Sequence, residues 1–222
     1  YIMTIQKLYL PEIINETELK SLKGQFLDDG YVYHYINYDC DVYNESTGKF
    51  ICSLRKRRLK KNRIAWDNYK HLSVAARGRG ASAGPIDPES VYWKKRDLVK
   101  TKGFRTSYMV KGKPCRLSYH TTQNLNLYEA GKPYIHELDK WYKQIRPYQH
   151  KIQLDRANLQ PTFKIDHTAY STITINRNFR TALHQDSGDY GGIATLSVLE
   201  YGKYNGGLFM IPGYGIGIDL RE

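Results

Sequence analysis

His184 and Asp186 stand two residues apart in a stretch that the sequence predicts to be extended. Because side chains along a strand alternate between its two faces, both are expected to point to the same side. One short segment would then offer an imidazole and a carboxylate to one metal ion. These are two of the three ligands in the 2-His-1-carboxylate site of non-haem Fe(II) oxygenases. Such a tripeptide also recurs by chance, so the elements around it decide whether it can bind iron.

The segments on both sides of this motif predict short strands. Residues 170–176 are rich in β-branched side chains, and residues 179–183 lead directly into the histidine. Residues 193–200 are apolar on both alternating faces, which predicts a strand buried on two sides. After a turn at 201–207, apolar residues alternate with glycine and aspartate from 214 to 220, which indicates a half-buried strand. Several short strands separated by turns are typical of a double-sheet jelly roll.

The order of these motifs resembles that of the 2-oxoglutarate/Fe(II)-dependent dioxygenases, and within them the TET/JBP-like branch. The residues that carry the resemblance are, in chain order, Asn176, His184, Asp186, Gly206, Gly207 and Pro212. The further spacing to Asp189 is similar to that of algal TET-like enzymes, which modify 5-methylcytosine with ascorbate. In those enzymes the additional acid lies beside the co-substrate. The resemblance therefore implies a cofactor-binding role for Asp189 and leaves 2-oxoglutarate and ascorbate both open.

The resemblance implies an α+β fold with a double-stranded β-helix (jelly-roll) core buttressed by helices. In this family the second histidine ligand and the basic residue that binds the 2-oxoglutarate carboxylate lie well beyond the Gly-Gly motif. The chain stops at Glu222, so the jelly roll is expected to be incomplete at its C-terminus, and Arg221 comes too early to be the co-substrate arginine. We therefore expect a fragment of a longer polypeptide. A non-catalytic homologue, or a site completed by another chain, is the alternative.

The composition predicts a globular intracellular protein that acts on a polyanion. Hydrophobic residues make up 41% of the 222 residues, an ordinary fraction for a folded domain. The three cysteines have no metal-type spacing, which favours a reducing intracellular compartment. That compartment would be the nucleus, or a host-cell compartment if the protein is viral. No apolar run is long enough to span a membrane, so no membrane partner is expected. The net charge of +12 indicates a nucleic-acid partner, and the resemblance favours DNA over RNA.

Two basic stretches are the candidates for nucleic-acid contacts. Residues 55–63 hold seven cations in nine positions, and a run of that density repels itself unless an anion lies near it. It predicts phosphate contacts, with a localisation signal as the alternative. Residues 75–88 are rich in glycine and arginine, which favours close approach to a phosphate over a flexible linker. The predicted contact residues are Arg55, Lys56, Arg57, Arg58, Arg77 and Arg79.

The N-terminal part predicts a helix and a hairpin. Apolar residues between 13 and 26 have helical spacing, and Asn15 or Thr17 is the expected N-cap. Residues 31–38 predict a strand, and residues 49–54 a second strand after a turn at 43–48. Residues 67–76 predict a short helix, and residues 117–127 a polar strand or loop.

The clearest helical region is 133–159. Apolar and aromatic side chains recur at spacings of three and four up to Ile145, Pro147 breaks the run, and residues 148–159 predict a second helix. Residues 1–130 are predicted to be a basic, substrate-contacting extension, and residues 131–222 the buttressing helices with the first half of the jelly roll. The histidines at 136, 150 and 167 are not expected to be the missing iron ligand.

Taken with the resemblance, these features predict an Fe(II)-dependent dioxygenase that oxidises or modifies a 5-methylpyrimidine base in nucleic acid. A base inside a duplex would have to be flipped out of the stack to reach the iron. A prolyl or lysyl hydroxylase of the same superfamily shares the iron motif, and a nucleic-acid-binding homologue without iron shares the charge. The base, the product and the oligomeric state are left open.

Overall fold

The computed structural model describes residues 5–56, 67, 107–108, 116–117, 122–159, 161, 164–173, 181–185, 191–199 and 205–221. The helices in these ranges are α1 (Glu16–Leu22), α2 (Leu125–Ile145) and α3 (Pro147–Asn158). The strands are β1 (Gln6–Leu10), β2 (His34–Ile36), β3 (Cys40–Asn44), β4 (Phe50–Leu54), β5 (Ser107–Tyr108), β6 (Arg116–Leu117), β7 (Phe209–Ile211) and β8 (Ile216–Ile218). One 3-10 turn at Asp29–Tyr31 precedes β2, and another at Pro212–Tyr214 joins β7 to β8.

The first sheet has the order β1-β3-β4, with β1 parallel to β3 and β3 antiparallel to β4. The side chain of Asn44 accepts the Thr47 amide at 2.8 Å, and Gly48 takes a φ of +66° to close the turn. The predicted hairpin is therefore confirmed at its turn and second strand. Its first strand is β3 and not residues 31–38, because β2 pairs with a different sheet.

The second sheet joins the two ends of the described chain. Its order is β2-β8-β7, so the N-terminal β2 lies parallel to the C-terminal β8. All three residues of β8 are buried, more than the half-buried strand predicted for 214–220. One apolar cluster fills the interior beside both sheets: Leu10, Ile36, Cys40, Val42, Leu54, Ile216 and Ile218. Full burial of one aliphatic side chain contributes about 1.5–3 kcal/mol, so strands from opposite ends of the chain stabilise each other.

The helices largely follow the sequence. Asn15 caps α1 by accepting the Glu18 amide at 2.9 Å, as predicted. Pro147 begins α3, where its missing N–H costs nothing, so the predicted break between α2 and α3 is confirmed. Helix α2 begins at Leu125 and continues through Pro133, so residues 125–127 are helical and not the predicted strand or loop. Burial of residues on one face of α2 on both sides of this proline offsets the hydrogen bond that it removes.

Two predicted strands are wrong where the structure describes them. Residues 170–173 and 193–199 form no strand, because neither pairs with a strand among the described residues. Leu196 and Val198 are 57% and 39% exposed, in contrast to the predicted two-sided burial. The described fold is thus mixed α and β, with small sheets beside three helices.

Asp67 is helical, and the rest of the helix predicted at 67–76 lies outside the described residues. None of the helices in the described ranges combines the length and apolarity that a bilayer crossing requires.

Candidate active site

His184 lies in an extended segment that is held by the turn after α1. Leu183 donates its amide to the Gln25 carbonyl at 2.9 Å and accepts the Gly24 amide at 2.8 Å. Gly24 has a φ of +86°, a conformation that glycine adopts without a Cβ clash. Ala182 is buried beside this pairing, while His184 itself is exposed. The backbone pairing therefore fixes the position of the histidine although no regular strand is formed there.

The ring of His184 has a defined proton position. Its Nδ1 lies 2.9 Å from the Ala182 carbonyl oxygen, and a carbonyl oxygen only accepts hydrogen bonds. Nδ1 must therefore carry the proton, and in the neutral ring the lone pair is on Nε2. A histidine whose other ring nitrogen donates to a backbone carbonyl is oriented as metal-binding histidines usually are.

The other predicted iron and co-substrate residues lie outside the described residues. This holds for Asp186 and Asp189, and for the predicted nucleic-acid contacts Arg57, Arg58, Arg77 and Arg79. Within the described part of the chain, no three His, Cys, Asp or Glu side chains are grouped closely enough to hold a metal ion. The pairing of His184 with Asp186 at one metal therefore stays a prediction.

A buried polar network connects helices α2 and α3 to residues 164–173, which precede the predicted iron motif. Asp139 Oδ1 accepts the Ala169 amide at 2.8 Å and lies 3.1 Å from His150 Nε2. Both side chains are buried, so each satisfies the other in the interior. His150 is accounted for by this contact, which gives it a structural role.

Gln153 on α3 joins the two segments that flank the iron motif. Its Oε1 accepts the Ile193 amide and the Tyr142 hydroxyl, both at 3.0 Å, and its Nε2 donates to the Ala169 carbonyl at 3.3 Å. Arg156, one turn further along α3, donates to the Gly191 carbonyl. Residues 164–173 before the motif and 191–199 after it are thereby bonded to the same face of α3.

Tyrosines complete this contact between the helices and the flanking segments. The Tyr170 hydroxyl lies 2.6 Å from Thr195 Oγ1, and Tyr134 on α2 bonds Ser197 at 2.5 Å. The Tyr170 ring stacks on Tyr142 with centroids 6.3 Å apart, and burial raises the pKa of Tyr170. The segment 193–199 is therefore held through side chains in place of a strand ladder. Sequence alone missed this, since serine and threonine in an apolar run give no signal for helix contacts.

Arg55 is directed into the fold. Its guanidinium donates to the Cys40 carbonyl at 2.7 Å, the Leu54 carbonyl at 2.8 Å and Asp41 Oδ1 at 2.7 Å, and its side chain is 8% exposed. Arg146 bonds the other oxygen of Asp41 at 3.1 Å. Three of the five guanidinium donors of Arg55 are thus used inside the protein, which leaves the predicted phosphate contact of Arg55 to its remaining donors.

The electrostatics of Asp41 follow from the same arrangement. Burial alone raises its pKa, but hydrogen bonds from Ser53 and Arg55 and the charges of Arg55 and Arg146 outweigh burial. The pKa of Asp41 is therefore lowered, and the carboxylate stays ionised between the two guanidiniums.

Lys56 and Arg221 meet at Asp219, directly after the last residue of β8, the central strand of the second sheet. Lys56 Nζ lies 3.3 Å from the Asp219 carbonyl oxygen, and its amide donates to Asp39 at 2.6 Å. Arg221 donates to both carboxylate oxygens of Asp219 at 2.8 and 2.7 Å, and Tyr35 donates to one of them. The hydrogen bonds from Arg221 are the main cause that lowers the pKa of Asp219. Sequence analysis did not find this cluster, because its members are far apart in the chain.

Comparison with known proteins places the motif in a family context. The TET/JBP family model, described as the oxygenase domain of the 2OGFeDO superfamily, matches residues 106–222. The chain is 39% identical over 93 residues to the bifunctional helicase and thymine dioxygenase JBP2 of Leishmania infantum, covering 41% of this chain and 8% of that protein. It is 41% identical over 70 residues to JBP2 of Trypanosoma brucei brucei, covering 31% of this chain and 6% of that protein.

A longer alignment relates nearly the whole chain to a second kind of relative. The chain is 26% identical over 229 residues to thymine dioxygenase JBP1 of Leishmania major, covering 98% of this chain and 26% of that protein. The chain thus spans between 6% and 26% of the length of these relatives. No solved structure matches the chain significantly.

Proposed function

Because the chain belongs to the TET/JBP family of oxygenase domains in the 2-oxoglutarate/Fe(II) dioxygenase superfamily, we propose that it forms part of a dioxygenase that oxidises a 5-methylpyrimidine base in DNA. The observation that carries the proposal is the family match over residues 106–222, which spans the whole predicted iron motif. Alignment with proteins named thymine dioxygenases supports thymine as the base.

His184 and Asp186 would hold the Fe(II), and Asp189 would orient the co-substrate. The described geometry of His184 fits this role, since the ring is exposed and Nδ1–H is bound to the Ala182 carbonyl. When bound, iron and 2-oxoglutarate supply the O2 chemistry that oxidises a methyl C–H bond. Membership of the superfamily favours 2-oxoglutarate, and the predicted role of Asp189 leaves ascorbate as the alternative. The second histidine ligand is not assigned to any residue of this chain.

The helical side of the fold would hold the iron motif in place. Gln153 bonds the segments on both sides of it, and the turn after α1 pairs with Leu183 immediately before His184. We propose that the iron motif between these flanking segments belongs to the jelly roll that the family implies, with α2 and α3 as its buttress. A ligand whose flanking segments are both bonded to neighbouring elements keeps its geometry during turnover.

The DNA would be bound mainly by the basic part of the chain. A base within a duplex cannot reach iron held by the protein, so the enzyme would flip it out at a cost of a few kcal/mol. Lys56, Arg57, Arg58, Arg77 and Arg79 would offset part of this cost through phosphate contacts. Residues 1–130 would form this substrate-contacting part, and action on DNA would place the protein in the nucleus.

One assay tests the proposal. The full chain, and a longer polypeptide that contains it, are given Fe(II) with either 2-oxoglutarate or ascorbate. Oligonucleotides with thymine or 5-methylcytosine, and proline- and lysine-containing peptides, are then analysed by mass spectrometry. We expect a mass increase of one oxygen on the thymine oligonucleotide. Product on peptide alone would establish a protein hydroxylase, and no product with no iron bound would leave a nucleic-acid-binding homologue.

Two histidine variants test the iron site directly. His184→Ala is expected to abolish Fe(II) binding, measured by metal content after gel filtration. His136→Ala is the matched control, since His136 is partly exposed and its Nε2 already contacts Asp166 at 3.0 Å. Retention of full iron content by His184→Ala would contradict the proposed site.

A further inference from the structure

The segment around α1 lies outside the family match at 106–222 but is bonded to that region at its start. The Gly213 carbonyl oxygen accepts the amides of Ile13 at 2.8 Å and Ile14 at 3.4 Å. Ile14 is buried, and Leu19 of α1 packs so closely on Gly213 that an added Cβ there would lie 3.2 Å from the leucine Cδ1. Gly213 belongs to the turn between β7 and β8. The first end of the α1 segment is therefore fixed on the matched region.

The other end of this segment is bonded beside the predicted iron ligand. The Gln25 carbonyl accepts the Leu183 amide at 2.9 Å, and the Leu183 carbonyl accepts the Gly24 amide at 2.8 Å. His184 follows immediately, and its Nδ1–H donates to the Ala182 carbonyl. The bonds to Leu183 thus hold the backbone between the imidazole and the carbonyl that orients it.

Gly24 is the residue on which this pairing depends. Its φ of +86° lies in the left-handed region, which a β-branched residue rarely adopts. An added Cβ at Gly24 would meet no atom of the described residues within 4 Å. A side chain here is therefore opposed by backbone conformation and not by crowding. A residue that cannot adopt this φ turns its amide away from the Leu183 carbonyl.

We propose that residues 13–25, here named the α1 strap, position His184 for the metal, with Gly24 as the positioning residue. None of the residues of α1 itself is buried, so the strap acts through its end contacts and contributes little to the core. The inference deepens the proposed function, on which the role of His184 as an iron ligand rests. It gives the N-terminal part a role besides DNA contact, because the matched region does not contain the residues that hold its own histidine.

Gly24→Val tests the strap in the full chain without metal. Valine is expected to break both bonds to Leu183, so the Leu183 amide should exchange with solvent about tenfold faster, the ratio that corresponds to the usual cost of a left-handed residue. The His184 ring should also lose its single Nδ1–H tautomer, which the imidazole nitrogen shifts report by NMR. Gly24→Asn should keep both properties, since asparagine adopts the left-handed region more readily than other side chains.

Gly48→Val is the matched control. Gly48 has a φ of +66°, and an added Cβ there also meets no described atom within 4 Å, so valine introduces the same kind of backbone strain. This glycine closes the turn between β3 and β4 in the first sheet. Gly48→Val should lower the urea midpoint as Gly24→Val does, but leave the exchange of Leu183 and the tautomer of His184 unchanged. The pair of variants separates positioning from a general loss of stability.

Iron affinity gives a second measurement, made in a longer polypeptide that contains this chain. Gly24→Val is expected to weaken Fe(II) binding about 10–100-fold, the usual effect of losing a group that orients a metal ligand. Gly24→Asn and Gly48→Val should bind Fe(II) as the parent does.

The outcomes separate this inference from the proposed function. If Gly24→Val keeps the Leu183 protection and the His184 tautomer, or the parent's iron affinity, the α1 strap is overturned. Equal loss in Gly48→Val also overturns it, since that result shows only general destabilisation. Loss of both NMR properties in Gly24→Val alone supports the strap. The same loss, together with a parent that binds no iron, still supports the hold of the strap on His184 and refutes the proposed function instead.

Discussion

Replacement of Asp41 by asparagine is expected to destabilise the protein strongly. Asp41 lies between the guanidiniums of Arg55 and Arg146, at 2.7 and 3.1 Å, and the three side chains are 12%, 8% and 15% exposed. Asparagine keeps the shape but leaves two buried positive charges without an anion. Removing one partner of a buried ion pair costs about 3–5 kcal/mol. For a domain whose total stability is about 5–15 kcal/mol, that is a large fraction.

Urea unfolding followed by tryptophan fluorescence measures this effect. With a slope of about 1–3 kcal/mol/M, the midpoint should fall by roughly 2 M. Asp155→Asn is the control, because its pair with Lys151 is exposed and such pairs are worth about 0–1 kcal/mol. A midpoint for Asp41→Asn within experimental error of this control would refute the reasoning.

A second variant, Arg146→Met, removes one of the two guanidiniums that contact Asp41. Arg146 packs its guanidinium 3.9 Å from the centroid of the Phe50 ring, and its Nε has no hydrogen-bond partner among the described residues. Its removal leaves Asp41 paired with Arg55, so no charge is left alone. Arg146→Met should therefore cost less than Asp41→Asn, and in the double variant the two effects should not add.

Three further predictions concern other parts of the fold. Gly217→Ala should cost about 1–3 kcal/mol of stability, because its Cβ would lie 2.8 and 2.9 Å from the γ-carbons of Val32. Gly191→Ala is the control, since its Cβ would meet only Arg156 at 3.8 Å, and it should unfold at nearly the same urea concentration as the parent. Gln153→Met should lower the free energy of unfolding, measured with urea, by about 1–3 kcal/mol, since it leaves the Ile193 amide unpaired. Gln153→Glu should lower it less, because glutamate keeps an acceptor for that amide. Because the pKa of Asp219 is lowered, its contribution to stability is complete above the ordinary aspartate pKa of about 3.9 and is lost as the pH falls below that value. Asp219→Asn should therefore flatten the fall in the urea midpoint between about pH 5 and 3. An unchanged fall would show that the Asp219–Arg221 pair does not stabilise the fold.

Sequence reasoning succeeded where the controlling interactions are local. The N-cap at Asn15, the helix break at Pro147 and the hairpin turn closed at Gly48 each depend on residues a few positions apart. A cap, a missing amide and a positive φ are properties of single residues, so they are visible without a partner. Recognition of the family belongs to the same class, since it needed only the order of residue types along the chain.

Tertiary structure decided which distant segments meet. The alternation in residues 31–38 indicates a strand but not that β2 pairs with β8. The basic run indicates phosphate contacts, yet Arg55 turns inward because Asp41 and two carbonyls lie within reach. Tyr35 and Asp219 are 184 residues apart and share a hydrogen bond. Local propensity carries no information about such contacts, because the energy that selects them is gained only when the packed core brings both partners together.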